Sequence, residues 1–142
     1  MSIDPTKSEM CTLNHLRKVT RAVGKINDAA LAPVGLKSTQ FSLLETIRQC
    51  GNIPLSQLAQ ILVMERTTLT RNLNPLIAKG YIETRTEQDK RVRIISISEE
   101  GREVLTQATP LWKAAQLNLV NKLGKERWSR LMTDASFLLD AI

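Results

Sequence analysis

The sequence has few of the side chains that perform covalent or metal chemistry. It contains a single histidine, His15, so no histidine cluster can hold a metal and no Ser/His/Asp set can be drawn from several candidates. It lacks a glycine-rich phosphate loop, and the adjacent acids Glu99 and Glu100 stand at a predicted helix start, where the positive end of the dipole explains them. These gaps point away from an enzyme and give no reason to expect a metal or a cofactor. Two cysteines, Cys11 and Cys50, are too few for a disulfide framework. No apolar run approaches the ~18 residues that span a bilayer, and Met1 to Glu9 is polar with no apolar signal core. The expectation is a protein of the reducing cytoplasm that does not contact a membrane. Aromatic residues make up 4% of the chain, so aliphatic side chains must build the core.

What is present is a basic, aliphatic chain of 142 residues, 42% hydrophobic, with a net charge of +6. Its length suits a single domain or subunit. The excess charge is local. Between Arg66 and Arg93 seven basic residues face three acidic ones, whereas Ser98 to Ile142 carries six of each. A concentrated basic stretch points to an anionic partner such as nucleic acid.

Periodicity supplies the elements. Leu13, Leu16, Val19, Val23, Ile26 and Ala30 recur at steps of three and four, predicting a helix over Cys11 to Leu31 that ends at the breakers Ala32-Pro33-Val34-Gly35. A second helix carries Phe41, Leu44 and Ile47, with Ser38 and Thr39 near its start as candidate caps. Ile53-Pro54 opens a third, short helix with the stripe Leu55, Leu58, Ala59 and Leu62. A fourth, from about Arg66 to Lys79, buries Leu69, Leu73, Leu76 and Ile77. Its other face shows Arg66, Thr67, Thr70, Arg71 and Asn74. Gly80 stops it, and Pro75 inside it predicts a bend in the last turn. The period then falls to two around Ile82, Thr84 and Thr86 and around Val92, Ile94 and Ile97, a β-hairpin with the charged tip Gln88-Asp89-Lys90-Arg91. Ser98-Glu99-Glu100-Gly101 starts a long helix with a kink expected at Pro110, and Lys125 to Ile142 forms the last.

Helix, helix, helix, hairpin is the order of a winged helix-turn-helix, in a fold that is mainly α with a small β-hairpin wing. An α-helix fits the major groove, where Thr67, Thr70, Arg71 and Asn74 can offer donors to base edges and phosphates. Lys90 and Arg91 at the hairpin tip can reach a neighbouring minor groove, with Arg85 behind them. Ser56 and Gln57, at the start of the third helix, can donate to phosphate.

Two stretches, GLKSTQFSLLETI and LSQLAQILVMERTTLTRNLNPLIAKGYIETRTEQDKRVRIISISEEGREVL, together resemble the multiple-antibiotic-resistance regulator (MarR) family. The N-terminal LRKVTRAVGKINDAAL is similar to one branch of it. The most specific piece is the Asp-x-Arg of the wing, Asp89-Lys90-Arg91. The resemblance implies that Asp89 holds Arg91 by an ion pair, that Arg91 enters the minor groove, and that Thr67, Thr68, Thr70 and Arg71 fall on the recognition helix. It also implies one subunit over residues 1–142, with a DNA-binding part over 36–105 and dimerisation helices over 10–32 and 106–142. Trp112, Leu119, Val120, Leu123, Trp128 and Leu138 would then be exposed on a lone chain. Three positions depart from the family: Val63 stands where glycine is common in the turn, Glu65 where Asp or Ser caps, and Lys37 where a capping Thr is frequent.

The resulting expectation is a sequence-specific regulator of transcription. It would be a homodimeric repressor on a pseudo-palindromic operator, with DNA affinity lowered by a small aromatic or lipophilic effector or by oxidation. The alternative is a non-specific architectural DNA-binding protein; a winged-helix module used only for protein contacts is a third reading. Relatives place an effector between the dimerisation and DNA-binding parts, which by position would draw on Cys11, His15, Val19, Phe41 and Trp112. Those residues also read as plain core or surface, and Cys11 and Cys50 as structural cysteines.

Overall fold

In the computed structural model, residues 3–142 are described; Met1 and Ser2, part of the polar start, lie outside them. After a 3₁₀ turn at Ser8–Met10, six helices and three strands follow in the order α1 (Thr12–Leu31), α2 (Ser38–Cys50), β1 (Ile53–Pro54), α3 (Leu55–Ile61), α4 (Arg66–Ala78), β2 (Ile82–Thr86), β3 (Arg93–Ile97), α5 (Glu99–Leu123) and α6 (Lys125–Ala141). A second 3₁₀ turn, Ala32–Val34, joins α1 to α2. The predicted hairpin is present, but the sheet has three strands rather than two. β3 is central, pairing Ile53 with Ile95 on one side and Thr84 with Ile95 on the other, both antiparallel. β1 escaped the sequence reading because two residues carry no period. Its Pro54 is tolerated because β1 is an edge strand, where a missing N–H costs no ladder bond.

The core is aliphatic, as the scarcity of aromatics requires. Leu31, Leu44, Ile47, Leu58, Leu69, Leu73, Leu76 and Ile95 are almost wholly removed from solvent, and they draw on α1, α2, α3, α4 and the sheet. α4 buries Leu69, Leu73 and Leu76, one per turn, which leaves its polar face outward. α5 runs unbroken through Pro110. Its first half, with Val104, Leu105 and Ala108, seals the core, whereas α6 buries no residue at all.

Helix starts are satisfied differently from the expectation. Ser38 and Thr39 do not cap α2. The Ser38 N–H donates to the Asp28 carboxylate of α1 at 2.6 Å, and the Lys37 N–H donates to Gln40 Oε1 at 3.0 Å. A carboxylate from the preceding helix thus supplies the acceptor that Lys37 cannot, and it ties α1 to α2. The Ser38 N–H holds the Asp28 carboxyl below its ordinary range. At α5 the reading of Ser98-x-x-Gly101 is met directly. Ser98 Oγ accepts from the Gly101 N–H at 3.0 Å and donates to the carbonyl of Gly80, while the Ser98 N–H donates to the carbonyl of Tyr81.

Two backbone positions are tightly constrained. A Cβ on Gly101 would overlap the Tyr81 carbonyl oxygen and crowd Ile97 Cγ1, so α5 can approach the α4–β2 connection only without a side chain there. Val63, between α3 and α4, has φ of 53°, alone among the described non-glycine residues in being positive. The left-handed conformation costs a side-chain-bearing residue roughly 1–2 kcal/mol and is least suited to a β-branched one.

Gly101→Ala is expected to lower stability by about 2–3 kcal/mol, because the obstructing atom is backbone and cannot swing aside; chemical denaturation measures it. The Asp28 cap gives a pH signature. A carboxyl whose folded value is lowered contributes stability above the ordinary carboxylate range, and that contribution is lost as pH falls through the folded value. The stability gap between the wild type and Asp28→Ala should therefore be constant near neutrality and close below about pH 4.

Candidate nucleic-acid interface

α3, the turn around Val63 and α4 form the helix-turn-helix. The Leu62 N–H donates to Leu58, that of Val63 to Gln60 and that of Met64 to Ala59, which closes α3 and turns the chain through the left-handed residue. Asn72 Nδ2 reaches Met64 Sδ at 3.9 Å, fastening the turn to α4. Glu65 makes no side-chain cap bond, so the first N–H groups of α4 have no side-chain acceptor and add a positive dipole end to the basic surface.

Thr67, Arg71 and Asn74 recur at steps of four and three along the exposed face of α4. Arg66 and Thr68 are also exposed, and Thr70 is half-buried. Among the described residues Arg66, Arg71 and Lys90 make no ion pair. Ser56 and Gln57 sit exposed in the first turn of α3. The side chains that could donate to DNA are therefore on the surface and unspent.

The wing tip is built by Asp89. The Val92 N–H donates to the Asp89 carbonyl at 2.9 Å, a β-turn over residues 89–92. Asp89 Oδ1 accepts from the Arg91 N–H at 3.1 Å and from Arg91 Nε at 3.3 Å. Aspartate at the first turn position commonly accepts from the amide two residues on. Here the same carboxylate also orients the guanidinium, which is the ion pair that the family resemblance implied. The Arg91 side chain remains 92% exposed. Arg85 is turned instead toward Glu87, at 3.5 Å.

The five residues considered for an effector are not gathered on one surface of the chain. Phe41 and Trp112 stack, with ring centroids 5.7 Å apart, and line a groove drawn from α2 and α5 only. Glu45, Arg48, Arg102 and Lys113 also border it. Arg48 binds Glu45 at 2.6 Å and holds that carboxyl below its ordinary range. Cys11, His15 and Val19 lie exposed on α1 and its cap, outside this groove. The sequence reading missed the four charged residues because α2 and α5 are far apart in the chain.

Trp112, Leu119, Val120 and Trp128 are half-buried rather than exposed, Trp112 packing against the core. Leu123 and Leu138 are exposed as expected. Also exposed on these helices are Leu13, Leu16 and Val19 of α1, Leu117 of α5, and Leu131, Met132, Phe137 and Leu139 of α6.

The fold is a winged helix-turn-helix, and comparison with known proteins makes the chain a DNA-binding regulator of transcription. The sequence profile of the MarR family matches residues 36–92, from the start of α2 through the wing tip. The chain is 35% identical to the M. tuberculosis transcriptional regulator MosR, whose structure is in complex with DNA, with a TM-score of 0.83 over 92% of this chain and 95% of that one. It superposes on a mutant MarR from E. coli complexed with operator DNA with a TM-score of 0.82, covering 92% of this chain and 96% of that one; at 24% identity this is a likeness of fold. It is 27% identical over 89 residues to YwoH, an HTH-type transcriptional regulator of Bacillus subtilis, spanning 63% of this chain and 65% of YwoH, just under two thirds of its length. The chain belongs to the MarR family, which comprises transcription regulators and not enzymes. No described helix is long and apolar enough to cross a membrane.

Because the Asp89–Arg91 pair is solvent-exposed, it contributes little to folding. Asp89→Ala and Arg91→Ala are expected to keep the wild-type melting temperature to within about 2 °C, as read by circular dichroism; any effect on binding then reports the wing itself.

Proposed function

We propose that this chain is a homodimeric, sequence-specific repressor of the cytoplasm that binds a pseudo-palindromic operator, and that a small aromatic or lipophilic effector, or oxidation at Cys11, lowers its affinity. In this reading residues 36–105 bind DNA, and residues 10–32 and 106–142 dimerise. The observation that carries it is the unpaired, outward Arg71 stripe of α4 combined with the Arg91 guanidinium held at the wing tip by Asp89. α4 would enter the major groove with Thr67, Thr68, Thr70, Arg71 and Asn74, while Arg66, Ser56 and Gln57 would meet phosphates. Arg91 and Lys90 would reach the adjoining minor groove. MosR, a transcriptional regulator 35% identical to this chain, is in complex with DNA in its own structure, which supports the DNA-binding part of this reading.

Dimerisation accounts for the uncovered apolar surface. α6 buries nothing within the chain, yet exposes Leu131, Met132, Phe137, Leu138 and Leu139, and α1 exposes Leu13, Leu16, Val19 and Ile26. Mutual burial at roughly 25 cal/mol per Å² is the simplest way to cover both. Two-fold symmetry then places half-sites about 10 bp apart. The stacked pair of Phe41 on α2 and Trp112 on α5, the helix that also carries part of this apolar surface, is where an effector would change the spacing of the DNA-binding parts.

The test is selection from a random duplex pool with the full chain, followed by binding to the winning sequence at several salt concentrations. The chain should sediment as a dimer and select a two-fold motif. Arg71→Ala should weaken binding by about 10-fold or more and relax the preference at one position per half-site. Arg91→Ala should weaken it and reduce the logarithmic salt slope by about 1 per subunit. Equal affinity for all sequences at physiological salt would establish the architectural alternative, and a stable monomer would defeat the dimer.

A further inference from the structure

The turn before α4 combines two features that a structural role alone does not require. Val63 adopts a left-handed backbone, where glycine would be unstrained, and its side chain is 78% exposed. The turn needs a left-handed backbone but not an exposed β-branched side chain to carry it, and strain kept at such a place is a reason to look for a function. Val63 borders an open notch between α3 and the start of α4, walled also by Ser56, Ala59, Gln60, Met64, Glu65, Arg66 and Thr67. Three of these residues, Ser56, Arg66 and Thr67, belong to the DNA interface proposed above. If those three meet DNA, the notch they share faces DNA too, and Val63, Ala59 and Met64 give it an apolar interior where a recognition surface is ordinarily polar.

The major groove offers one apolar group among the four bases, the C5-methyl of thymine. A phosphate or a polar base edge set against Val63 would lose hydration without a hydrogen bond in return. We propose that Val63 is a specificity residue that seats the methyl group of one thymine in each half-site, between the polar contacts of Ser56 on one side and Arg66 and Thr67 on the other. This rests on the DNA-binding reading and assigns it a base.

Deoxyuridine differs from thymidine only by that methyl, so it isolates the contact. Each thymine of the selected operator is replaced in turn by deoxyuridine, and the dissociation constant is measured for the wild type, Val63→Gly and Val63→Thr. At one thymine per half-site the wild type should bind about fourfold more weakly to the uracil duplex, the fold-change for one buried methyl. Val63→Gly should bind both duplexes alike at that position. Val63→Thr, which keeps the branch but exchanges one methyl for a hydroxyl, should show a reduced preference and gives the same answer if the glycine variant folds poorly. A wild type that selects an operator through Arg71 and Arg91 but ignores every methyl overturns this inference alone. Unchanged thymine preference in both variants does the same. Failure to select any operator overturns this inference and the reading beneath it together.

Discussion

The placement of every candidate DNA contact depends on the junction where α4, the wing and α5 meet. Ser98 is the buried polar side chain at that point; it bonds the carbonyl of Gly80, which ends α4, and the amide of Gly101, which begins α5. The Ser98 amide bonds Tyr81, the residue leading into β2. Because Gly101 has no side chain, the helix that leads to the proposed dimer surface packs directly on the backbone that leads from α4 to the wing. The angle between α4 and the hairpin is thus set by close backbone contact and local hydrogen bonds, which do not yield as packed side chains can.

The groups proposed to face DNA, by contrast, are held lightly. Arg71 and Lys90 are free of ion pairs among the described residues, and Arg91 is fixed only by one exposed carboxylate. A carboxylate that accepts both the amide and the guanidinium of the residue two positions on limits where the Arg91 side chain can point without burying its charge. That is preorganisation at small cost: less side-chain freedom remains to be lost when the groove is entered. The framework is rigid where geometry must be transmitted and solvated where charge must be delivered.

Much of this was legible in the sequence. The stripe Leu69, Leu73, Leu76 fixes which face of α4 is buried, and therefore which face Thr67, Arg71 and Asn74 occupy. Gln88-Asp89-Lys90-Arg91 reads as a charged hairpin tip, and its ion pair was implied by the family resemblance. Ser98-x-x-Gly101 announces a capped helix start. Contacts between distant segments could not be read. Asp28 capping α2, Trp112 turning inward onto Phe41 and β1 pairing with β3 depend on tertiary placement that periodicity does not encode. Val63 lies between the two cases: its departure from glycine was visible, but its exposure and strain required the backbone.

The account is tested most directly by hydroxyl-radical footprinting of the selected duplex with the wild type and Arg91→Ala. Two copies acting through α4 and the wing predict two protected minor-groove segments, symmetric about the centre of the motif and each adjoining a major-groove half-site, with protection lost at both segments in the variant. A single unsymmetrical patch, uniform protection along the duplex, or a footprint unchanged by Arg91→Ala would contradict it.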